Sequence, residues 1–299
     1  MRYAFLCIWV CFWSSDMNAQ ARIESEYKIA VPADEVEEVW AYLQSAFGKN
    51  ELQILPEGCR TNTSIEVFHD TYFDDVDKSL LAYKAGARYR QRYINDSLIK
   101  NLIQLKVPTQ DALGVAREEY KFSPEANRDI TDRTGLHPFL KHIKQKDAQD
   151  VDLILGQFGT SSKNMTEAIK LKQIRKRVYV SDEQGALMTF TLDRVSSFYF
   201  PYTSFVELEL ELNEIRYTDA DVIQQKSLEE MNTKAKQALF DRFDRLVQDQ
   251  TPKYNKMHAA ISAQPIAWVY NNLMYLVLGG IGLFAAVLMW KNEKRIANT

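Results

Sequence analysis

The chain is poor in cysteine. Of its three, Cys7 and Cys11 lie in the first apolar stretch, so a processed protein would keep only Cys59. One thiol makes no internal disulfide and no cysteine metal cluster. Nor is there an excess of charge of one sign: 37 Lys and Arg face 40 Asp and Glu, a formal net charge of −3. That near balance argues against nucleic acid as a partner, so any anion site must be local. The four histidines, His69, His137, His142 and His258, are scattered, and His137 and His142 miss the i, i+4 spacing of a zinc helix. No Walker loop, no GxSxG and no Cys/His nucleophile pattern occurs. With 46% hydrophobic and 26% charged residues, the composition excludes a disordered, collagen-like or low-complexity chain.

The two ends predict a compartment. Arg2 precedes the apolar run Tyr3 to Trp13, followed by Ser14, Ser15, Asp16 and the small-residue pattern Ala19-Gln20-Ala21. This is the layout of a secretory signal peptide over residues 1–21, cleaved before Arg22. Ala267 to Trp290 carries no charge and is closed by Lys291, Lys294 and Arg295. A transmembrane helix over 267–290 with a cytoplasmic tail at 291–299 is the expectation. Together the ends predict a single-pass membrane protein whose domain, about 22–260, faces away from the cytoplasm.

Between the ends, hydrophobic periodicity predicts a helix from Asp34 to Gly48 through Val36, Val39, Trp40, Leu43 and Phe47. Strands are expected at 66–74, 87–95, 101–107 and 115–122, a helical insertion at about 125–170, then strands at 172–181, 187–195 and 204–213. Asp219 is expected to open a long helix to about Gln248, and Thr251 to Ala260 to lead into the membrane. Long strands joined by short polar turns predict an α+β fold: an antiparallel β-barrel with surrounding helices and the C-terminal transmembrane helix appended.

Charge is distributed along these strands with a period of two. Glu24, Glu26 and Lys28 share one face of the first strand, as do Arg88, Arg90 and Arg92; Gln104 and Lys106; Arg117, Glu119 and Lys121; Arg175 and Arg177; and Glu207, Glu209 and Glu211. The alternate positions are largely apolar, such as Val206, Leu208, Leu210 and Leu212. Signs are clustered by strand, whereas a surface selected for solubility intersperses them. If the apolar faces pack outward against helices, the interior is lined with arginine and glutamate. Guanidinium forks match phosphate oxygens, and hard carboxylate oxygens suit Mg²⁺ or Mn²⁺.

Glu24-Ser25-Glu26-Tyr27-Lys28 resembles the ExExK motif that opens CYTH domains, the triphosphate tunnel metalloenzymes. The resemblance continues through His69 to Asp75, Gly86-Ala87-Arg88-Tyr89-Arg90, Leu105-Lys106, Arg117-Glu118-Glu119, Arg175-Lys176-Arg177, Thr191-Leu192-Asp193 and Glu207-Leu208-Glu209. Pro252-Lys253-Tyr254 and the Thr-Leu-Asp strand are also similar to the VTC branch, known for polyphosphate synthesis. Thr189 and the Glu209-Leu210-Glu211 run depart from that branch toward its hydrolases.

The resemblance implies a tunnel in which Glu24, Glu26, Glu207 and Glu209 hold Mg²⁺ or Mn²⁺. It further implies that Lys28, Arg88, Arg90, Lys106, Arg117, Arg175, Arg177 and Lys253 line a path for tripolyphosphate or polyphosphate. A water positioned by Glu119, Asp193 or Glu211 would complete a metal-dependent phosphoanhydride hydrolase. The alternatives are a polyphosphate polymerase with a nucleotide donor and a non-catalytic polyphosphate-binding module.

Overall fold

In the computed structural model, residues 22–109, 116–124, 139, 142–200 and 202–265 are described, the side chains of 23–25 and 116 excepted. The strands are β1 (Arg22–Val31), β2 (Arg60–Asp74), β3 (Gly86–Ile94), β4 (Ser97–Pro108), β5 (Ala116–Phe122), β6 (Thr166–Asp182), β7 (Gly185–Ser197), β8 (Ser204–Leu212) and β9 (Val247–Gln248). The helices are α1 (Val36–Tyr42), α2 (Ser79–Ala82), α3 (Ala148–Gly156), α4 (Glu214–Asp219), α5 (Val222–Arg242) and α6 (Lys253–Ser262).

The predicted elements are present with shifted bounds. β2 and β6 each start six residues early, because Arg60–Ile65 and Thr166–Leu171 pair with the far ends of their neighbours. The first helix starts at Val36 after Glu35, runs on as a wider turn over Leu43–Gly48, and has no side-chain cap, since Asp34 binds Arg245 instead (2.8 Å). Asp219 ends α4; the long helix begins one turn later on a capping box between Asp221 and Gln224. Asn95 and Asp96 both take positive φ (47° and 60°) in the two-residue turn between β3 and β4. Of the expected insertion, 125–138, 140 and 141 lie outside the described residues, and the described part holds α3.

The strands join in the order β5-β4-β3-β2-β6-β7-β8-β1-β9, all neighbours antiparallel. This corrects the expected barrel with a membrane helix in two respects. The sheet is not simply closed: β1 divides, residues 22–25 pairing with β5 and residues 26–31 with β8, while β9 remains an edge strand beside β1. β5 meets β1 over Arg22–Ser25 alone, so the tunnel wall has only a partial seam. Secondly, among the described residues no helix is long and apolar enough to cross a membrane. The stretch expected to lead into a membrane is α6, which lies against the sheet through Tyr254, Met257 and Ile261. The single-pass, membrane-anchored placement is overturned accordingly, and 267–290 lies outside the described residues.

Apolar side chains pack in three clusters, two of them on outward faces of the strands. Ile29, Val178, Phe190, Leu208 and Leu210 pack under α1 and α5, with Phe47 stacked on Phe190 at 4.1 Å between ring centroids. Tyr89, Ile103 and Leu105 pack under α3 through Val151, Ile154 and Leu155. With the apolar positions spent on these outward contacts, the alternate positions of the same strands turn to the tunnel interior. The third cluster, Tyr72, Ile169, Leu171 and Val195, shares the parity of Asp70 and Gln173 and receives α6 on the cavity side.

Candidate functional site

Pleat and register deliver the charged residues to one cavity of about 190 Å³. Glu26, Lys28, Arg88, Arg90, Lys106, Arg117, Glu119, Arg175, Arg177, Glu209, Glu211 and Lys253 all line it. Each comes from a strand except Lys253, the first residue of α6. Lys28 stands opposite Glu209 in the β1–β8 ladder, Glu207 opposite Asp193 in β7–β8, and Asp193 opposite Arg175 in β6–β7. The cross-strand register thus converts period-two charge patterns into contacts.

The carboxylates gather at the β7–β8 side. Asp193, Glu207 and Glu209 are buried, and each offers an oxygen within 4.8 Å of the others. Lys253 Nζ lies 3.1 Å from Asp193 Oδ2 and 2.6 Å from Glu209 Oε1, and it touches Glu207. Lys28 Nζ reaches Glu209 at 2.5 Å and Glu26 at 2.8 Å. Arg175 clasps Asp193 through Nε (2.6 Å) and Nη2 (2.5 Å), and Lys256 holds Glu207 at 2.8 Å. Burial by itself would raise the Glu209 carboxyl, but Lys253, Lys28 and Arg175 hold it well below the ordinary range. Asp193 is likewise lowered against its burial by Arg175 and Lys253. Lys28 is raised despite burial by Glu209, Glu26 and Glu207.

A second group is centred on Asp70. Arg90 binds it twice (2.7 and 2.6 Å), Arg88 once (3.1 Å), and Gln173 donates to it as well. Against full burial, Arg90 and Arg88 bring the Asp70 carboxyl down to about 2. Arg88 also takes the Gln104 side-chain oxygen (2.8 Å) and the Tyr72 hydroxyl (3.1 Å). The Phe68 ring lies between guanidiniums, with Arg90, Arg175 and Arg177 at 4.6, 5.1 and 5.7 Å from its centroid. Farther along, buried Glu66 pairs with Arg92 (2.8 Å) and Arg177 (3.3 Å).

The sequence-predicted residues divide as follows. The eight cations expected on the phosphate path all line the cavity. Of the four expected metal ligands, Glu207 and Glu209 meet. Glu26 joins them only through Lys28, and Glu24 stands opposite Arg117 in the ladder with its side chain outside the description. Asp193, expected to position water, stands instead with Glu207 and Glu209. Glu119 is buried beside Lys106, Lys121 and Gln104 (2.6 Å), and Glu211 is half-buried in the cavity wall. Asp70, Glu66, Phe68, Gln173 and Lys256 were missed. For four of them the signal was available: Glu66, Phe68, Asp70 and Tyr72 share one parity, as do Gln173, Arg175 and Arg177.

Solved structures resemble this chain at low identity. A proposed adenylate cyclase from Bacillus halodurans is 16% identical over 78% of this chain and 95% of its own, with a TM-score of 0.46. A proposed adenylyl cyclase from Hippeastrum, reported to have a dominant triphosphatase activity, is 12% identical over 80% of this chain and 95% of its own, with a TM-score of 0.43. The RNA triphosphatase of S. pombe is 12% identical over 73% of this chain and 82% of its own, with a TM-score of 0.35. No curated protein matches the sequence. The CYTH domain family model matches residues 22–239, nearly all of the tunnel, and the chain belongs to the CYTH domain family.

Proposed function

We propose that this protein hydrolyses a phosphoanhydride bond of a linear inorganic phosphate, tripolyphosphate or polyphosphate, with a divalent ion. One observation carries the reading: one cavity has cations on its β3, β4, β5 and β6 walls and Glu209 on its β8 wall, and Glu209 belongs to a buried carboxylate group with Asp193 and Glu207 behind it. Its volume of about 190 Å³ is below the roughly 300 Å³ at which pockets for larger organic ligands begin, which favours a slender anion. The hard oxygen donors of Asp193, Glu207 and Glu209 fit Mg²⁺ or Mn²⁺, which when bound supplies charge neutralisation and polarisation of the phosphoryl group.

The chain's own groups do the rest by positioning. Arg88 and Arg90, held by Asp70, present their remaining N–H donors to phosphate oxygens, and Lys106 and Arg117 extend the same wall. Glu211 holds a water in line with the terminal phosphorus. As the water oxygen bonds to phosphorus, the bridging P–O bond breaks and its electron pair stays on the shortened chain among the arginines. The proton passes to Glu211. Lys28, fixed between Glu26 and Glu209, favours the ionised form of Glu209.

The test incubates the full-length chain with tripolyphosphate, long-chain polyphosphate or ATP, in Mg²⁺, Mn²⁺ or EDTA, and follows released phosphate and chain length. Phosphate release from the inorganic chains, abolished by EDTA, is expected. Chain growth from ATP, or binding without turnover, would replace this reading.

A further inference from the structure

Lys253 occupies the place that the carboxylate group offers to a cation. Its Nζ contacts all three of Asp193, Glu207 and Glu209. An ammonium has three donors, and here three carboxylates surround it. The Glu207 side chain is fully buried and its Oε1 touches the ammonium, so the seat is already filled by a cation of the chain itself.

The carboxylates there are already paired. Asp193, Glu207 and Glu209 face Lys253, Lys28, Arg175 and Lys256, of which Lys28 also pairs with Glu26 and Lys256 with Asp249. A dication entering the seat beside Lys253 would meet the ammonium charge at the same oxygens. The four differ in how they are held. Lys28 and Arg175 sit inside β-ladders, and Lys256 also reaches the backbone oxygen of Asp249 (3.2 Å). Lys253 is the first residue of α6, follows Pro252, and among the described residues its side chain bonds to these carboxylates alone. Its flexible four-carbon stem lines the same cavity as the phosphate-path arginines.

Building on the proposed metal-dependent reaction, we propose that Lys253 is the resident cation of the carboxylate seat. Lys253 and a divalent ion occupy it in turn, so metal affinity is held low until an anionic substrate draws the ammonium away. Metal loading is then tied to the presence of phosphate, which makes Lys253 a positioning residue for the metal as well as a phosphate contact.

The test is Mn²⁺ binding to the full-length chain without phosphate, by calorimetric titration and by the electron-spin signal of unbound Mn²⁺. Lys253→Met is expected to bind Mn²⁺ at least about tenfold more tightly than wild type, while Lys253→Arg, which keeps the charge, stays near wild type. Lys253→Gln serves as a second neutral variant should the methionine protein fail to fold. If wild type binds Mn²⁺ and the neutral variants bind it equally or more weakly, the competition is overturned while metal-dependent hydrolysis stands. If neither wild type nor the neutral variants bind Mn²⁺, both readings fall.

Discussion

Arg90 and Asp70 illustrate how the interior couples binding to stability. Both are buried, and the pair is bidentate. Removing one partner of a buried pair costs about 3–5 kcal/mol where nothing else compensates the charge left behind. Arg90→Ala leaves Asp70 with Arg88 and Gln173 and is expected to lower the unfolding free energy by less than that, as well as to abolish tripolyphosphate hydrolysis. Glu209→Gln should stop turnover too, and its loss of Mn²⁺ binding, read by titration, separates it from Arg90→Ala. Asp70 also sets an acid limit. Its carboxyl lies at about 2 when folded against roughly 3.9 in an unfolded chain. A lowered carboxyl stabilises above the unfolded value, and the benefit, about 2.5 kcal/mol, is lost as pH falls from about 4 toward 2. Thermal melts should hold steady from pH 7 to about pH 4 on this account, and Asp70→Asn should remove that part of the acid limb.

At the scale of elements, α6 is, among the described helices, the one whose side chains reach the cavity. Tyr254 stacks on Tyr72 (5.2 Å between centroids) and donates its hydroxyl to Asp74 (3.0 Å), which also caps the backbone N–H groups of Leu80 and Leu81. Tyr254→Phe removes one hydrogen bond and should cost about 1 kcal/mol in chemical denaturation. Tyr254→Ala opens a cavity beneath the helix and should cost about 3–5 kcal/mol, with loss of activity because Lys253 is next in sequence. The helix itself was legible in part: Lys253 and Tyr254 stood out in the sequence, yet their segment was taken as a lead into a membrane. An amphipathic stretch adjoining an apolar one carries no local sign of which surface its apolar side will cover. The contact with Tyr72, Leu171 and Val195, supplied by distant strands, decides that.

For the whole molecule, the near-neutral total charge conceals a strongly sorted interior, and ligand should report on it. Tripolyphosphate with Mn²⁺ at one hundred times its Kd stabilises the folded state by about 2.7 kcal/mol, which for a domain of this size raises Tm by roughly 5 to 10 °C. Orthophosphate at the same concentration should give much less, since it cannot reach both walls. Unaltered Tm in scanning calorimetry would mean that the tunnel does not take a linear phosphate.

The parity of charge and apolarity along each strand is a local property, because the pleat sends successive side chains to opposite faces. For that reason the sequence alone determined which face of each strand turns to the cavity, and the seven expected cations on strands line it, while Lys253 arrives on α6. Which charges touch was decided elsewhere. Asp193 joins Glu207 because β7 and β8 pair in that register, and Lys253 reaches both because α6 folds back over the sheet. The division of β1 between β5 and β8 is likewise nonlocal. Register and docking depend on partners far apart in the chain, and only the tertiary structure brings those partners together.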